Sequence, residues 1–432
     1  MTGYDIGIIG AGFTGLTAAY RLLQAGHRVT LYEAEPQVGG LAAGFRDEGW
    51  EWSLERFYHH IFATDKAIIR LAEALGWQDR LFFPRPTTSI YHEGRIYPLD
   101  SALRVLTFEP LPLPDRLRFG AVAALVKYNP FWKPWEGVTA DAWLSRALGE
   151  RAYRLLWQPL LEGKFGEAYR EVPMAWFWAR IAKRTPRLGY FEGGFQRFAE
   201  ALAAAVRQAG GQVHLGKAVQ RIEKRPDGFR LTLAEGEAHH ERVLATVSPR
   251  RFLTMAPDLP ADYAGLLRGL RSMGAVVLVL ALSRRMTEGH YWINIPKREG
   301  FPFLAFVEHT NYISREHYGG DHLLYCGDYL PADHPAFGMS AEALFEHYLP
   351  GIRRITPDFR PDQVRRLWKF QARYAQPLPT LHQSRRIPPL ATPIEGLFLA
   401  NMSQVYPWDR GTNYAVAWGE KVAALIDEDA RR

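Results

Sequence analysis

Cysteine is almost absent: the 432 residues contain one, Cys326. A single thiol excludes an internal disulfide and any metal cluster built on cysteine, and it suits a reducing compartment. Long apolar runs are missing too. The longest, Phe119–Val126 and Gly274–Leu282, fall well short of the ~18 residues of a membrane span and read as a helix segment and a buried strand. The opening residues, MTGYDIGIIGAGFTG, lack a basic stretch followed by a long apolar one. No signal peptide is therefore expected, and a cytoplasmic location is. No low-complexity tract, internal repeat, Gly-x-Ser-x-Gly, His-Glu-x-x-His or P-loop occurs, and no metal site is expected. Charge is not concentrated either. Lys and Arg number 53 against 46 Asp and Glu, a formal +7, but the basic residues are scattered in pairs such as Arg365–Arg366 and Arg385–Arg386. Nucleic-acid binders gather charge on one face, so a nucleic acid is not an expected partner. An anionic small molecule is the simpler explanation of the surplus.

What is present is a core-forming composition, 47% hydrophobic, in a chain long enough for two or three domains of ~100–200 residues. Tyr4–Ile9 reads as a buried parallel strand, Gly15–Gln24 as a helix and Arg28–Glu33 as a second strand. Between the first strand and the helix, Gly10, Gly12 and Gly15 form Gly-x-Gly-x-x-Gly, with Phe13 and Thr14 among the intervening positions. The first glycine allows a tight turn, the second lets the backbone approach a pyrophosphate, and the third packs helix on strand. The phosphates then meet free N–H groups at the helix N-terminus. Glu33 closes the second strand 18 residues after Gly15, where an acid takes ribose hydroxyls. The unit binds a dinucleotide, but these features do not choose which one.

The choice comes from Gly39–Gly40 in "EAEPQVGGLAAGF". Here the chain resembles the flavoprotein superfamily of amine oxidases, protoporphyrinogen oxidases, phytoene desaturases and UDP-galactopyranose mutases. The resemblance implies non-covalent FAD, with Ala34, Gly39, Gly40 and Leu41 passing close to the phosphates and ribityl chain. "GLFLANMSQVYPWDRGTNYAVAWGEKVAALI" is similar to the superfamily's last FAD segment. By that resemblance Asn401, Arg410, Gly411, Thr412 and Asn413 face the flavin, where a helix N-terminus favours negative charge on the reduced ring. Gly193–Ile222 is similar to a third segment, whose match for the adenine-facing valine is Val219. The chain departs from many relatives in having Ala400–Asn401 for Gly-Asp and Leu41 for arginine.

The implied fold class is α/β: a Rossmann-like FAD-binding domain, parallel sheet plus β-meander, with an inserted α+β substrate domain. The expected boundaries are 1–50, 190–260 and 382–432 for the FAD part. The substrate part takes 51–189, expected to be mostly helical, and 261–381, expected as one strand followed by aromatic loops. On the substrate side, His59 and His60 in "ERFYHH" are candidate proton shuttles near neutral pH, and Lys164 is a candidate contact for flavin N5 or an acidic substrate. Tyr58, His309, Trp368 and Tyr374 are candidate substrate-pocket residues. The aromatic, proline-rich Leu106–Trp135 segment is a candidate for peripheral membrane contact. Three readings follow. One is a redox flavoenzyme oxidising a bulky apolar or aromatic substrate, reoxidised by dioxygen or another acceptor. Another is a mutase of the UDP-galactopyranose type, suggested by "HHIFATD". The last is a non-catalytic flavin-binding scaffold. Oligomeric state is left open.

Overall fold

The computed structural model describes residues 3–431. Five parallel strands form the first sheet: Asp5–Ile9, Arg28–Tyr32, Gln212–His214, Arg242–Ala245 and Leu397–Leu399. Numbered along the chain, their spatial order is 3-2-1-4-5, the doubly wound order in which a ligand sits in the crevice where the winding reverses. The interior strands are mostly apolar because both faces are covered, one by helices and the other by antiparallel strands. The helices Phe13–Gln24, Gly194–Gln208 and Thr412–Arg431 lie against this sheet. Beside it the antiparallel strands Val219–Arg225, Gly228–Leu233 and Glu237–His240 make the expected meander, turning at Pro226–Gly228.

The second half of the fold is a seven-stranded mixed sheet, more regular than the expected run of aromatic loops. Its strands are Val364–Leu378, Arg271–Leu282, His322–Leu330, Ala305–Glu308, His290–Asn294, Thr87–His92 and Arg95–Pro98, in that spatial order. Every residue of His322–Leu330 is buried, so the strand lacks the alternation by which strands are usually read. Along Arg271–Leu282, Val277, Val279 and Ala281 pack toward the first sheet's core. Val276, Leu278 and Leu280 pack toward Phe345, Tyr348 and Ile352 of the helix Ala341–Ile355.

The stretch 51–189 is mixed in its first part, with one helix, Lys66–Ala74, among short strands, and mostly helical in its second. Thr87–His92 and Arg95–Pro98 form a hairpin whose turn, Glu93 (φ 47) and Gly94 (φ 82), has the paired positive φ of a type I′ connection. Thr87–His92 then pairs in parallel with His290–Asn294, about 200 positions later, a partner no local pattern reveals. The helices Leu113–Tyr128, Ala140–Leu148, Gln158–Phe165 and Met174–Ala182 share one core. In Leu106–Trp135 only Phe108, Leu111, Phe119 and Val126 are buried apolar residues, while Tyr128 and Phe131 stay 78% and 74% exposed. No helix among the described residues is long and apolar enough to cross a membrane.

Candidate functional site

At the phosphate end the backbone builds the site. Gly10 adopts φ 106, turning the chain from the first strand into Phe13–Gln24. A Cβ on Gly15 would collide with the Gly10 carbonyl oxygen, so helix and turn touch without a side chain between them. Gly12 precedes the helix in extended conformation. No side chain caps it and no acid lies in the first turn, which leaves the terminal N–H groups and the positive dipole end free for an anion. The glycine doublet folds directly onto this loop. Gly39 donates its N–H to the Ala11 carbonyl at 2.9 Å, and a Cβ on Gly40 would stand 3.1 Å from Gly12 Cα. Glu33 is aimed at the same place, its carboxylate accepting from Ala11 N–H at 2.7 Å and Glu35 N–H at 2.9 Å. Lys217 N–H donates to the Glu33 carbonyl at 2.7 Å, which brings the chain leading to buried Val219 alongside. Ala34 and Leu41 lie exposed at the rim, and Thr14 is half-buried.

The helix Thr412–Arg431 runs beside Phe13–Gln24. A Cβ on Gly419 would meet Thr14 O at 2.6 Å, so the two helices touch backbone to backbone. Thr412 lies seven residues before Gly419, whereas Phe13 lies one before Thr14. Gly419 also stands against Thr17 Cβ and Ala18 N, so at 1.5 Å per residue the later helix begins ~3–9 Å farther along. Two stepped N-termini beside a glycine cradle suit a long anionic dinucleotide with phosphates at the first and a ring system at the second. The residues present fit FAD. Asn413 uses its Oδ1 to accept from Ala67 and Ile68 N–H (2.9 and 3.2 Å), which tethers the helix Lys66–Ala74. Asn401 Oδ1 accepts from Ser403 N–H at 3.0 Å, and its Nδ2 donates to Val247 O at 3.2 Å. Tyr374 OH is 2.7 Å from Ser403 Oγ and donates to Asn401 Oδ1 at 3.3 Å. That sets Tyr374 against the end of the last parallel strand.

Immediately before Thr412, at Asp409 and Arg410, side chains take over. Asp409 Oδ2 accepts from Lys164 Nζ at 3.0 Å and Arg180 Nη1 at 2.9 Å. Its Oδ1 accepts from Trp176 Nε1, Gln376 Nε2 and Arg410 N–H at 3.2, 3.1 and 3.0 Å. Burial would raise this carboxyl, but Lys164 and Arg180 prevail and hold it at about 2. Lys164, 8% exposed, also donates to Gln376 Oε1 at 2.7 Å, and burial holds its ammonium well below the usual lysine range. Arg410 donates to Gln376 Oε1 at 3.0 Å and to the Tyr329 hydroxyl.

Tyr58, His59 and His60 lie within the field of these charges. Burial pushes His59 down to about 4 and His60 to about 3, with Arg410 and Arg184 adding to the respective shifts. Both rings are therefore neutral at neutral pH. His59 Nδ1 is 2.6 Å from Phe57 O, which fixes that nitrogen as the protonated one. His60 Nδ1 stands 3.5 Å from Tyr291 OH. Tyr58 packs on Gly327, where a Cβ would come within 2.9 Å of its ring.

His309 is not in this group. It sits fully buried, Nε2 2.9 Å from Tyr318 OH, in a phenol cluster around Glu55. The Glu55 carboxylate accepts from Tyr190 OH and Phe195 N–H, each at 2.8 Å, and burial raises it to about 7. Trp368 also lies apart, packed on Phe45 and Trp50 with ring centroids 5.0 and 5.5 Å away. It is eight residues along its strand from Gln376, roughly 27 Å away at the rise of an extended chain. Sequence reasoning missed Asp409, Arg180, Arg184, Gln376 and Glu55. The signals available were Asp409 beside Arg410 in "YPWDRGTNYA" and the helical i,i+4 spacing of Trp176, Arg180 and Arg184.

Residues 13–426 match the family described as flavin containing amine oxidoreductase. The chain belongs to that family. A putative flavin-containing monoamine oxidase of Mycobacterium tuberculosis is 27% identical over 287 residues, 60% of either chain. The match thus spans three-fifths of that relative's length. Among solved structures, a putative protoporphyrinogen oxidase from Exiguobacterium sp. 255-15 superposes with TM-score 0.79 at 18% identity, covering 99% of this chain and all of its own. A reduced UDP-galactopyranose mutase gives 0.78 at 16% identity, covering 100% and 94%. These two likenesses establish the fold alone, an α/β architecture with parallel and mixed sheets.

Proposed function

We propose that this chain is an FAD-dependent oxidoreductase that oxidises a bulky apolar or aromatic small molecule by hydride transfer to flavin N5. The observation that carries this reading is the junction at residues 409–412. There the second of two stepped helix N-termini meets the polar cluster and the paired imidazoles. FAD, when bound, would supply a two-electron acceptor for the electron pair of a substrate C–H bond.

The chain's own residues do the rest. Gly10, Gly12, Phe13, Thr14 and Gly15, with Ala34, Gly39, Gly40 and Leu41, hold the pyrophosphate and ribityl chain. Glu33 would take the ribose, and the Val219 backbone would meet the adenine. Asn401, Arg410, Gly411, Thr412 and Asn413 bound the flavin, with backbone N–H groups and the dipole of the last helix favouring negative charge on it. His59 and His60, neutral at neutral pH and weak bases in this buried setting, relay the proton that leaves with oxidation and do not keep it. Lys164 is a positioning residue, committed to Asp409 and Gln376. Tyr58 and Tyr374 wall the pocket and exclude water.

The test is turnover by the purified FAD-loaded protein of amines, porphyrinogens, polyenes and UDP-sugars, read as flavin bleaching without oxygen and peroxide with it. Bleaching by one substrate supports the reading; bound flavin that no substrate class reduces overturns it in favour of a scaffold. A second reading, a mutase without net redox, draws on Arg180 and Arg184 acting on His60, since a nucleotide diphosphate needs such arginines. Conversion of a UDP-sugar without peroxide would select it. Peripheral lipid contact belongs to the same proposal. Exposed Leu103, Leu117, Leu125, Tyr128 and Phe131, with exposed Arg104 and Lys133 nearby, match an anionic bilayer surface. Failure to sediment with phosphatidylglycerol vesicles removes it.

A further inference from the structure

The imidazole pair continues into a file of packed rings. From His60 the next ring is Tyr291 at 6.3 Å between centroids, then Tyr312 at 4.7 Å, Tyr190 at 5.7 Å and Trp52 at 6.5 Å. Trp52 lies flat against His317, 3.7 Å away and 8° from parallel. Both line an open surface groove with Glu51, Arg80 and Glu192. A branch leaves at the Tyr190 hydroxyl, which is 3.5 Å from that of Tyr318. Trp50 stands edge-on to Tyr318 at 5.5 Å, and half-buried Trp368 follows at another 5.5 Å. The file thus joins the reacting end to the surface at two places, and it takes in His309 and Trp368, which the proposed oxidation does not use.

Packing alone does not account for the polar groups along this file. A buried phenol needs a hydrogen-bond acceptor. A backbone carbonyl is enough: Tyr312 donates to Leu188 O at 2.9 Å and Tyr325 to Glu55 O at 2.7 Å. Tyr190 and Tyr318 have bases instead. Tyr190 donates to the Glu55 carboxylate at 2.8 Å, and Tyr318 OH lies 2.9 Å from His309 Nε2. Both bases are buried, and no cation pairs with Glu55 among the described residues. A lone buried carboxylate is costly, so a core packed only for stability has no use for one. The chemistry of phenols gives it a use. An oxidised phenol is a very strong acid, so tyrosine gives up an electron readily only where its proton can leave at the same time. Electron transfer between side chains also falls steeply with distance, which favours short steps between neighbouring rings over one long jump.

We propose that the file of Tyr291, Tyr312, Tyr190 and Trp52, with its branch through Tyr318 and Trp50 to Trp368, carries one-electron oxidising equivalents from the reacting end to the surface. Glu55 and His309 are the proton acceptors of Tyr190 and Tyr318. This protective activity rests on the flavin site assigned above. The oxidant is an oxygen-centred radical derived from peroxide. It takes one electron from the file and a proton from water, and becomes a hydroxyl group. At Tyr190 the O–H bond breaks: the electron fills the vacancy in the neighbouring ring and the proton moves to Glu55. Trp52 then supplies an electron to Tyr190, the O–H bond re-forms with the Glu55 proton, and the indole proton passes to water. At the groove an external thiol restores Trp52 with one electron and one proton, and two such oxidised thiols pair as a disulfide.

The experiment illuminates FAD-loaded protein with blue light in the presence of ferricyanide, which takes up the electron that the file loses, and reads the frozen sample by electron paramagnetic resonance. The expected result is a tyrosyl radical signal. It loses most of its intensity in Tyr190→Phe and in Glu55→Gln, while the flavin spectrum stays unchanged. Trp143→Phe, which alters a ring outside the file, leaves it intact. Two readouts need no variant to fold. In the unmutated protein the signal grows as pH rises through about 7, where Glu55 ionises. After prolonged illumination, mass spectrometry finds added oxygen on Trp52 and Trp368 before Trp143. Flavin-loaded protein without a tyrosyl signal, a signal indifferent to Tyr190→Phe or to Glu55→Gln, or oxidation that reaches Trp143 as readily as Trp52 would each overturn the proposal. A protein that takes up no FAD would instead overturn the functional reading beneath it.

Discussion

The two ends of the site are built on opposite plans. The proposed phosphate end is built of backbone: glycines in positive φ, a bare helix terminus and a doublet seated on the loop. The proposed reacting end is built of side chains from distant segments, Lys164, Arg180, Gln376 and Asp409, meeting around one carboxylate. A backbone site tolerates almost no added atom, because nothing nearby can move aside. A side-chain site tolerates volume but not a change of charge.

That contrast sets an order of expected effects. Gly15→Val should be the most damaging, since its Cβ has nowhere to go against the Gly10 carbonyl. The expected result is loss of bound flavin or of soluble protein, read from the visible spectrum. Yellow, stoichiometric protein would break the backbone half of the comparison. Next comes Asp409→Asn, which strips Lys164 and Arg180 of the carboxylate they pair with. Breaking a buried pair in this way costs about 3–5 kcal/mol, measurable by urea unfolding.

Removal of the paired imidazoles affects chemistry instead of folding. His59→Ala and His60→Ala should lower turnover while FAD stays bound, and unchanged turnover in both would eliminate them as proton acceptors. Both imidazoles have folded pKa values depressed below the ordinary 6.5. Their contribution to stability is present above that value and is lost as pH falls through about 4 for His59 and about 3 for His60. Glu55 has the reverse sign. Its carboxyl is raised from 4.5 to about 7, so the folded state holds the proton more tightly. The stabilisation is full below 4.5 and is lost as pH rises through 7. Between about pH 5 and 8 the Tm of the wild type should fall relative to that of Glu55→Gln, and parallel curves would contradict this. The smallest effect is expected at the exposed apolar face: Leu117→Ser should change stability by no more than about 0.5 kcal/mol.

The same contrast explains what the sequence reveals. The first βαβ unit is legible almost to the residue: a helix expected from Gly15 begins at Phe13 because Gly12 is its extended cap. Glu33, the doublet and the last helix are legible because their roles depend on local spacing. The strand His322–Leu330, buried on both sides, hides its period. The hairpin 87–98 hides its partner because that partner is His290–Asn294. The hub at Asp409 joins residues 245, 229 and 33 positions away, and no window along the chain contains them. Aromatic loops in the sequence point to His309 and Trp368 as pocket residues; the structure packs His309 on Tyr318 and Trp368 on Phe45 and Trp50. Which side chains line the site depends on how the seven-stranded sheet stacks on the first, and composition carries no information on that.

The most direct measurement is of the cofactor itself. The protein, purified and then denatured with acid, should release one FAD per chain, with nothing left covalently attached. A colourless protein that takes up no FAD on incubation would contradict the account at its root.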